Sequence, residues 1–172
     1  MQANTTIRAG VCGFTTTVVA TSDDMQNVSF QIETDCDEIK KLSGSVTELR
    51  LSDSLRSDEI GRALKLAAEA DVVVVAAYIK IVLSSGTVAL PPAHTAFLQK
   101  LAEVNQRVAL VSFGNPYIGA SAPAIPAYIC AFDNAKALQE ATAEALYGKA
   151  PFRGKLPVTV SEKMKFGVGL TK

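Results

Sequence analysis

Apolar positions along this chain follow two different rhythms. Residues 6–20 form a run rich in Thr and Val. Over residues 27–34, Val28, Phe30 and Ile32 alternate with Ser29, Gln31 and Glu33. A period of two predicts a strand with one buried face. The polar stretch SDDMQN separates the two runs and reads as a turn, so they are expected to pair as an antiparallel hairpin. Asp35 stands three residues before Glu38, a carboxylate form of the capping box, and Ile39 with Leu42 predicts a short helix ended by Gly44. Residues 1–44 are thus read as a β-β-α segment.

From residue 46 the rhythm becomes strand, helix, strand, helix. VTELRL (46–51) reads as a strand. Asp58 and Glu59 open a helix with Ile60, Ala63, Leu64 and Ala67 at helical spacing, ended at Asp71. Residues 72–77 are an unbroken apolar run, as expected for a strand covered on both faces. Pro91 and Pro92 begin a helix with a stripe of Phe97, Leu98, Leu101 and Val104. Residues 107–113 and 127–132 are two more buried strands. Asn134 is expected to cap a third helix, with Leu138, Ala141 and Ala145 inward and Gly148 closing it, and residues 157–160 an edge strand. Strands joined by single helices need crossovers, and right-handed crossovers put helices on both faces of a mainly parallel sheet. The expected fold is an α/β, three-layer α/β/α sandwich with a doubly wound, flavodoxin-like sheet, to which the N-terminal hairpin adds an antiparallel strand.

Composition narrows the function classes. With 48% hydrophobic residues over 172, the chain can bury one ordinary core, and residues 1–172 are read as a single domain. Formal charge is zero but split: residues 1–45 carry three basic and six acidic groups, −3, and the remainder fourteen and eleven, +3. That asymmetry is too small to imply nucleic acid. Lys149, Arg153, Lys155, Lys163, Lys165 and Lys172 face only Glu162 near the end of the chain and read as a solvated face. No apolar stretch approaches the roughly 18 residues of a membrane span, and three scattered cysteines suit a reducing cytosol. The expectation is a cytoplasmic protein with no membrane or nucleic-acid partner.

The run RVALVSFGNPY (107–117), with AYICAF (127–132), the helix after it and the closing GKAPFRGKLPVTVSEKMKFGVGL, resembles the C-terminal α/β domain of family 3 glycoside hydrolases, particularly the β-N-acetylglucosaminidase-like branch. The resemblance covers residues 46–170. It implies a substrate-binding barrel carrying the nucleophilic carboxylate N-terminal to this domain, and 45 residues cannot hold a barrel of about 250. AGVCGFTTTVVA and IETDCDEIKKL resemble the start of a small prokaryotic family of unknown function. The two resemblances meet at residues 44–46, which points to a fusion. A divergent single domain is the alternative.

Candidate chemistry is sparse. His94, the sole histidine, would have to serve every Ser-His or Cys-His arrangement, and its place in the first turn of a helix reads as surface or boundary. GASAP (119–123) lacks the last glycine of a serine elbow, and GVCG (10–13) leads into strand, so neither is a nucleophile or phosphate site. If the hairpin turns near residues 23–26, Cys12 faces Cys36 or Asp37. Buried structural thiols are the plain reading, with a disulfide or redox pair the alternative and no metal. Doubly wound sheets bind ligands outside the carboxyl ends of their strands, which selects Ser84, Ser85, Gly86 and Asn115 as ligand-binding candidates for a small molecule or sugar. In the resembled family this edge faces the barrel and in some branches supplies a catalytic acid, but residues 80–87 hold no Asp or Glu. The expected function is a non-catalytic domain without cofactor, self-associating as a homodimer to cover apolar surface. The alternatives are a hydrolase or accessory domain acting on amino sugars, and a small-ligand module.

Overall fold

The computed structural model describes residues 8–17, 39, 41–42, 45–51, 54–80 and 89–170. In chain order these form β1 (Arg8–Thr17), β2 (Ser45–Leu51), α1 (Ser57–Glu69), β3 (Val72–Lys80), α2 (Pro92–Val104), β4 (Val108–Phe113), a 3₁₀ helix (Pro116–Ser121), β5 (Ala127–Cys130) and α3 (Lys136–Leu146). The strands make one sheet of order β2-β1-β3-β4-β5, parallel at every pairing. This 2-1-3-4-5 sequence is one of the two common doubly wound orders. The α/β sandwich expected from the sequence is therefore the fold.

Each face of the sheet has its own core. In β3, Val73, Val75 and Ala77 pack with Ala63 and Ala67 of α1 and with Phe97, Leu98 and Leu101 of α2. The intervening Val74, Ala76 and Tyr78 belong to a second cluster with Val111, Phe113, Ile39 and Ala143 of α3. Alternation along one strand feeds both layers, so an unbroken apolar run is what a central parallel strand requires. Asn105 ties one layer to the sheet: its Nδ2 donates to Ala67 O (2.8 Å) and Ala70 O (2.9 Å) at the end of α1, and its Oδ1 accepts from Arg107 N–H (2.8 Å) just before β4.

Four local expectations are corrected. β1 is not an antiparallel addition; it lies inside the sheet, with Arg8–Phe14 in register with β2 and Ala9–Thr17 in register with β3, both parallel. The segment RAGVCGFTTT lacks the strict alternation of a half-buried hairpin strand, which suits an interior position better. The other arm expected for that hairpin, residues 27–34, lies outside the described residues. In α3 the buried positions are Gln139, Thr142 and Ala143, and Leu138 points outward. At the start of α3 it is Asp133, whose Oδ1 accepts from Ala135 N–H (2.9 Å), that makes the side-chain turn, not Asn134. Residues 157–160 form no strand.

Candidate functional site

The carboxyl edge of the sheet is where the chain reverses direction across β1. β2 lies on one side of β1 and β3 on the other, and β1 and β3 end together, Thr17 beside Lys80. This is the topological switch point of a doubly wound sheet. Ser84, Ser85 and Gly86, which follow β3, lie outside the described residues. So does Cys36. Cys12 has Leu49 and Val75 as its lateral partners in the sheet, so the strand pairing that would set it opposite Cys36 is not the one β1 makes over this register.

Asn115 is described, and the structure gives it a structural task. β4 ends at Phe113, and Gly114 takes φ 119°, a backbone conformation closed to most side chains. Asn115 follows, 2% exposed, its Oδ1 accepting from Tyr117 N–H (2.9 Å) to start the 3₁₀ helix. Ser112, fully buried in β4, donates its hydroxyl to Asn115 O at 2.5 Å. Across this turn Tyr128 of β5 donates its phenol to Pro116 O at 2.7 Å. Gly119 lets the two approach: a Cβ there would stand 2.6 Å from the Tyr128 ring. Ser121, the serine of GASAP, accepts Leu90 N–H on its Oγ (3.2 Å) and so also holds the chain together.

Beside Tyr128 lies Cys130, half-buried, with its Sγ 4.0 Å from the phenol oxygen. Burial pushes the Cys130 thiol above its usual range. Burial, then the neighbouring thiol, pushes the Tyr128 phenol up as well. Both groups are held in their neutral forms at neutral pH, and a thiol raised in this way is a poor nucleophile. Ala131 N–H closes the edge by donating to Ser112 O (2.9 Å), and Phe132 then adopts φ 63° with its ring partly exposed. Sequence reasoning found Asn115 and missed Ser112, Tyr128 and Cys130. The available signal was a serine placed inside the apolar run of β4 and followed by Gly-Asn-Pro.

His94 corrects another expectation. It is 2% exposed in the first turn of α2, a core residue and not a surface or boundary one. Among the described residues no group of three His, Cys, Asp or Glu side chains could hold a metal ion. No helix among them is long and apolar enough to cross a membrane.

A model of the family of unknown function DUF6951 matches residues 3–96, more than half of the chain. The chain belongs to that family. The matched region takes in β1 to β3 and the first part of α2, and it spans residues 44–46, where the sequence reading places a junction. No curated protein matches the chain. Solved structures similar to it include a family 3 glycoside hydrolase β-N-acetylglucosaminidase from Paenibacillus sp. str. FPU-7, with 20% identity and a TM-score of 0.71 over 92% of this chain and 28% of that one. A β-glucosidase from Erythrobacter marinus gives 14% identity and 0.64 over 96% and 31%. A family 3 exo-β-xylosidase gives 16% and 0.66 over 91% and 22%. At these identities the likeness establishes the fold alone. The chain spans between about a fifth and a third of the length of these enzymes.

Proposed function

We propose that this chain is a non-catalytic α/β domain, related in architecture to the non-barrel part of family 3 glycoside hydrolases. The observation that carries this reading is the use made of the polar groups on the β4–β5 edge. Ser112, Asn115, Ser121 and Tyr128 each spend a side-chain oxygen on backbone of the same chain, and burial holds Cys130 and Tyr128 neutral. A site that binds and turns over a substrate needs such groups directed at the ligand, with a base or nucleophile in its reactive form. Because the family match runs through residues 44–46, we read the first 96 residues as one continuous unit and not as a joined pair. The test is incubation with chromogenic β-N-acetylglucosaminides, β-glucosides and β-xylosides. We expect no release above the heat-unfolded control. Release that follows the folded protein through successive columns and is lost on unfolding would replace this reading with a hydrolase acting on such sugars.

One observation favours a second reading, a small-ligand module. The switch point between β1 and β3 is the place where doubly wound sheets form a binding crevice. A thermal-shift screen with N-acetylglucosamine, nucleotides and inorganic phosphate distinguishes the two, since a ligand bound only by the folded state raises the midpoint with concentration.

A further inference from the structure

After α3 no regular element forms among the described residues, but residues 154–168 fold back on themselves. Leu156 N–H donates to Val168 O and Gly167 N–H to Leu156 O, both at 2.8 Å, while Val160 N–H reaches Met164 O at 2.8 Å across the turn. Phe166 N–H donates to Thr159 Oγ1 at 3.1 Å. The two arms touch backbone to backbone, since a Cβ on Gly169 would clash with Gly154 O. Val160 is buried. This is a hairpin-like fold-back held by backbone hydrogen bonds.

Its side chains are unusual in combination. Phe166, Val168 and Leu170 are 73%, 47% and 72% exposed, three large apolar groups within five residues. Arg153 and Lys155 lie on the arm that pairs with residues 167–169, and Lys163 and Lys165 directly precede Phe166; all four are exposed, and none is in an ion pair among the described residues. Glu162 is the single acid between residues 151 and 170, so four cations less one anion leave a net charge of +3. Cations alone read as a solvated face; exposed apolar groups among them call for an anionic partner that also receives hydrocarbon. A second copy would bring like charges together. A stable protein interface needs about 800 Å² from each partner, more than three side chains supply. A lipid headgroup layer needs only a few inserted apolar chains and nearby cations.

We propose that the hairpin of residues 153–170 docks on an anionic lipid surface, with Phe166, Val168 and Leu170 entering the headgroup boundary and Arg153, Lys155, Lys163 and Lys165 against the lipid phosphates and carboxylates. The proposal goes beyond the reading of the fold as non-catalytic and does not depend on it. Cosedimentation of the full chain with phosphatidylserine-rich vesicles tests it, with phosphatidylcholine vesicles and soluble polyglutamate as comparisons. Binding to the anionic vesicles is expected, weakening in high salt, with Lys163→Gln and Lys165→Gln each lowering the partition coefficient about fivefold. The pair Phe166→Ser with Leu170→Ser should lower it at least about tenfold, with circular dichroism unchanged because both side chains are exposed. Absence of binding at low salt, equal binding to neutral vesicles, or retention by polyglutamate alone overturns the proposal; so does self-association that the Phe166→Ser, Leu170→Ser pair abolishes.

Discussion

Gly119 and Tyr128 show how single residues hold the β4–β5 edge. The phenol is fixed by its bond to Pro116 O, so the ring cannot easily retreat from a methyl group placed 2.6 Å away. Gly119→Ala should therefore cost about 1–3 kcal/mol, as overpacking does. Urea denaturation measures it, and in the Tyr128→Leu background the same substitution should cost clearly less, which identifies the ring as the obstacle. Tyr128 also makes a prediction about pH. Its folded pKa is raised above the ordinary phenol value of 10.0, first by burial, so at alkaline pH the unfolded chain ionises this phenol while the folded chain keeps it neutral. The unfolded state then binds fewer protons, and stability present below pH 10 is lost as pH rises further. Stability measured from neutral pH into the alkaline range should fall less steeply above pH 10 in Tyr128→Phe than in the parent. That variant should be weaker at neutral pH by about 1 kcal/mol, having lost its bond to Pro116 O.

At the scale of elements, α3 shows what the sequence made legible and what it concealed. Its position, its start near Asp133 and Asn134 and its end before Gly148 could all be read, but its inward face could not. Pattern reading places leucine and alanine inside. The structure instead buries Gln139, whose Oε1 accepts from the Tyr78 phenol (3.3 Å) and whose Nε2 donates to Asn134 O (2.7 Å), and this turns Leu138 toward solvent. A buried polar pair spanning 61 residues of sequence leaves no trace in local periodicity. Leu138→Ala should consequently change stability by less than about 0.5 kcal/mol. Gln139→Ala, which removes the acceptor of the Tyr78 hydroxyl bond and the donor to Asn134 O, should cost about 1 kcal/mol or more. If thermal or chemical unfolding gives the reverse order, the burial assignment of α3 is wrong. The same principle accounts for β1. Its strand character was legible in its Thr and Val content, but its two parallel partners, β2 and β3, come from distant sequence that no turn signal announces. At the candidate site the FGNP turn was legible and its buried anchors were not, because Ser112 and Tyr128 acquire their roles only when β4 and β5 lie side by side.

For the whole molecule, the arrangement of the sheet decides how the parts depend on one another. β1 separates β2 from β3, so the β2–α1–β3 crossover closes only if β1 fills the gap, and β3 feeds the clusters on both faces. Stability should then be shared by the entire sheet, and removing β1 should not leave a folded remainder. Val11, in register with Glu48 on one side and Val74 on the other, sits in the middle of that strand. Proline there deletes a ladder donor from an interior strand, a position where proline is essentially not found. Val11→Pro is expected to abolish the cooperative unfolding transition and, in hydrogen exchange, to expose the amides of Val73–Ala77 and Val108–Val111 together. Persistent protection of β3 and β4 in that variant would mean that the first strand is an appendage and that the core is complete without it. That outcome would also restore the junction near residues 44–46 as a real boundary, since a sheet indifferent to the loss of an interior strand could only have been built from the residues that follow it.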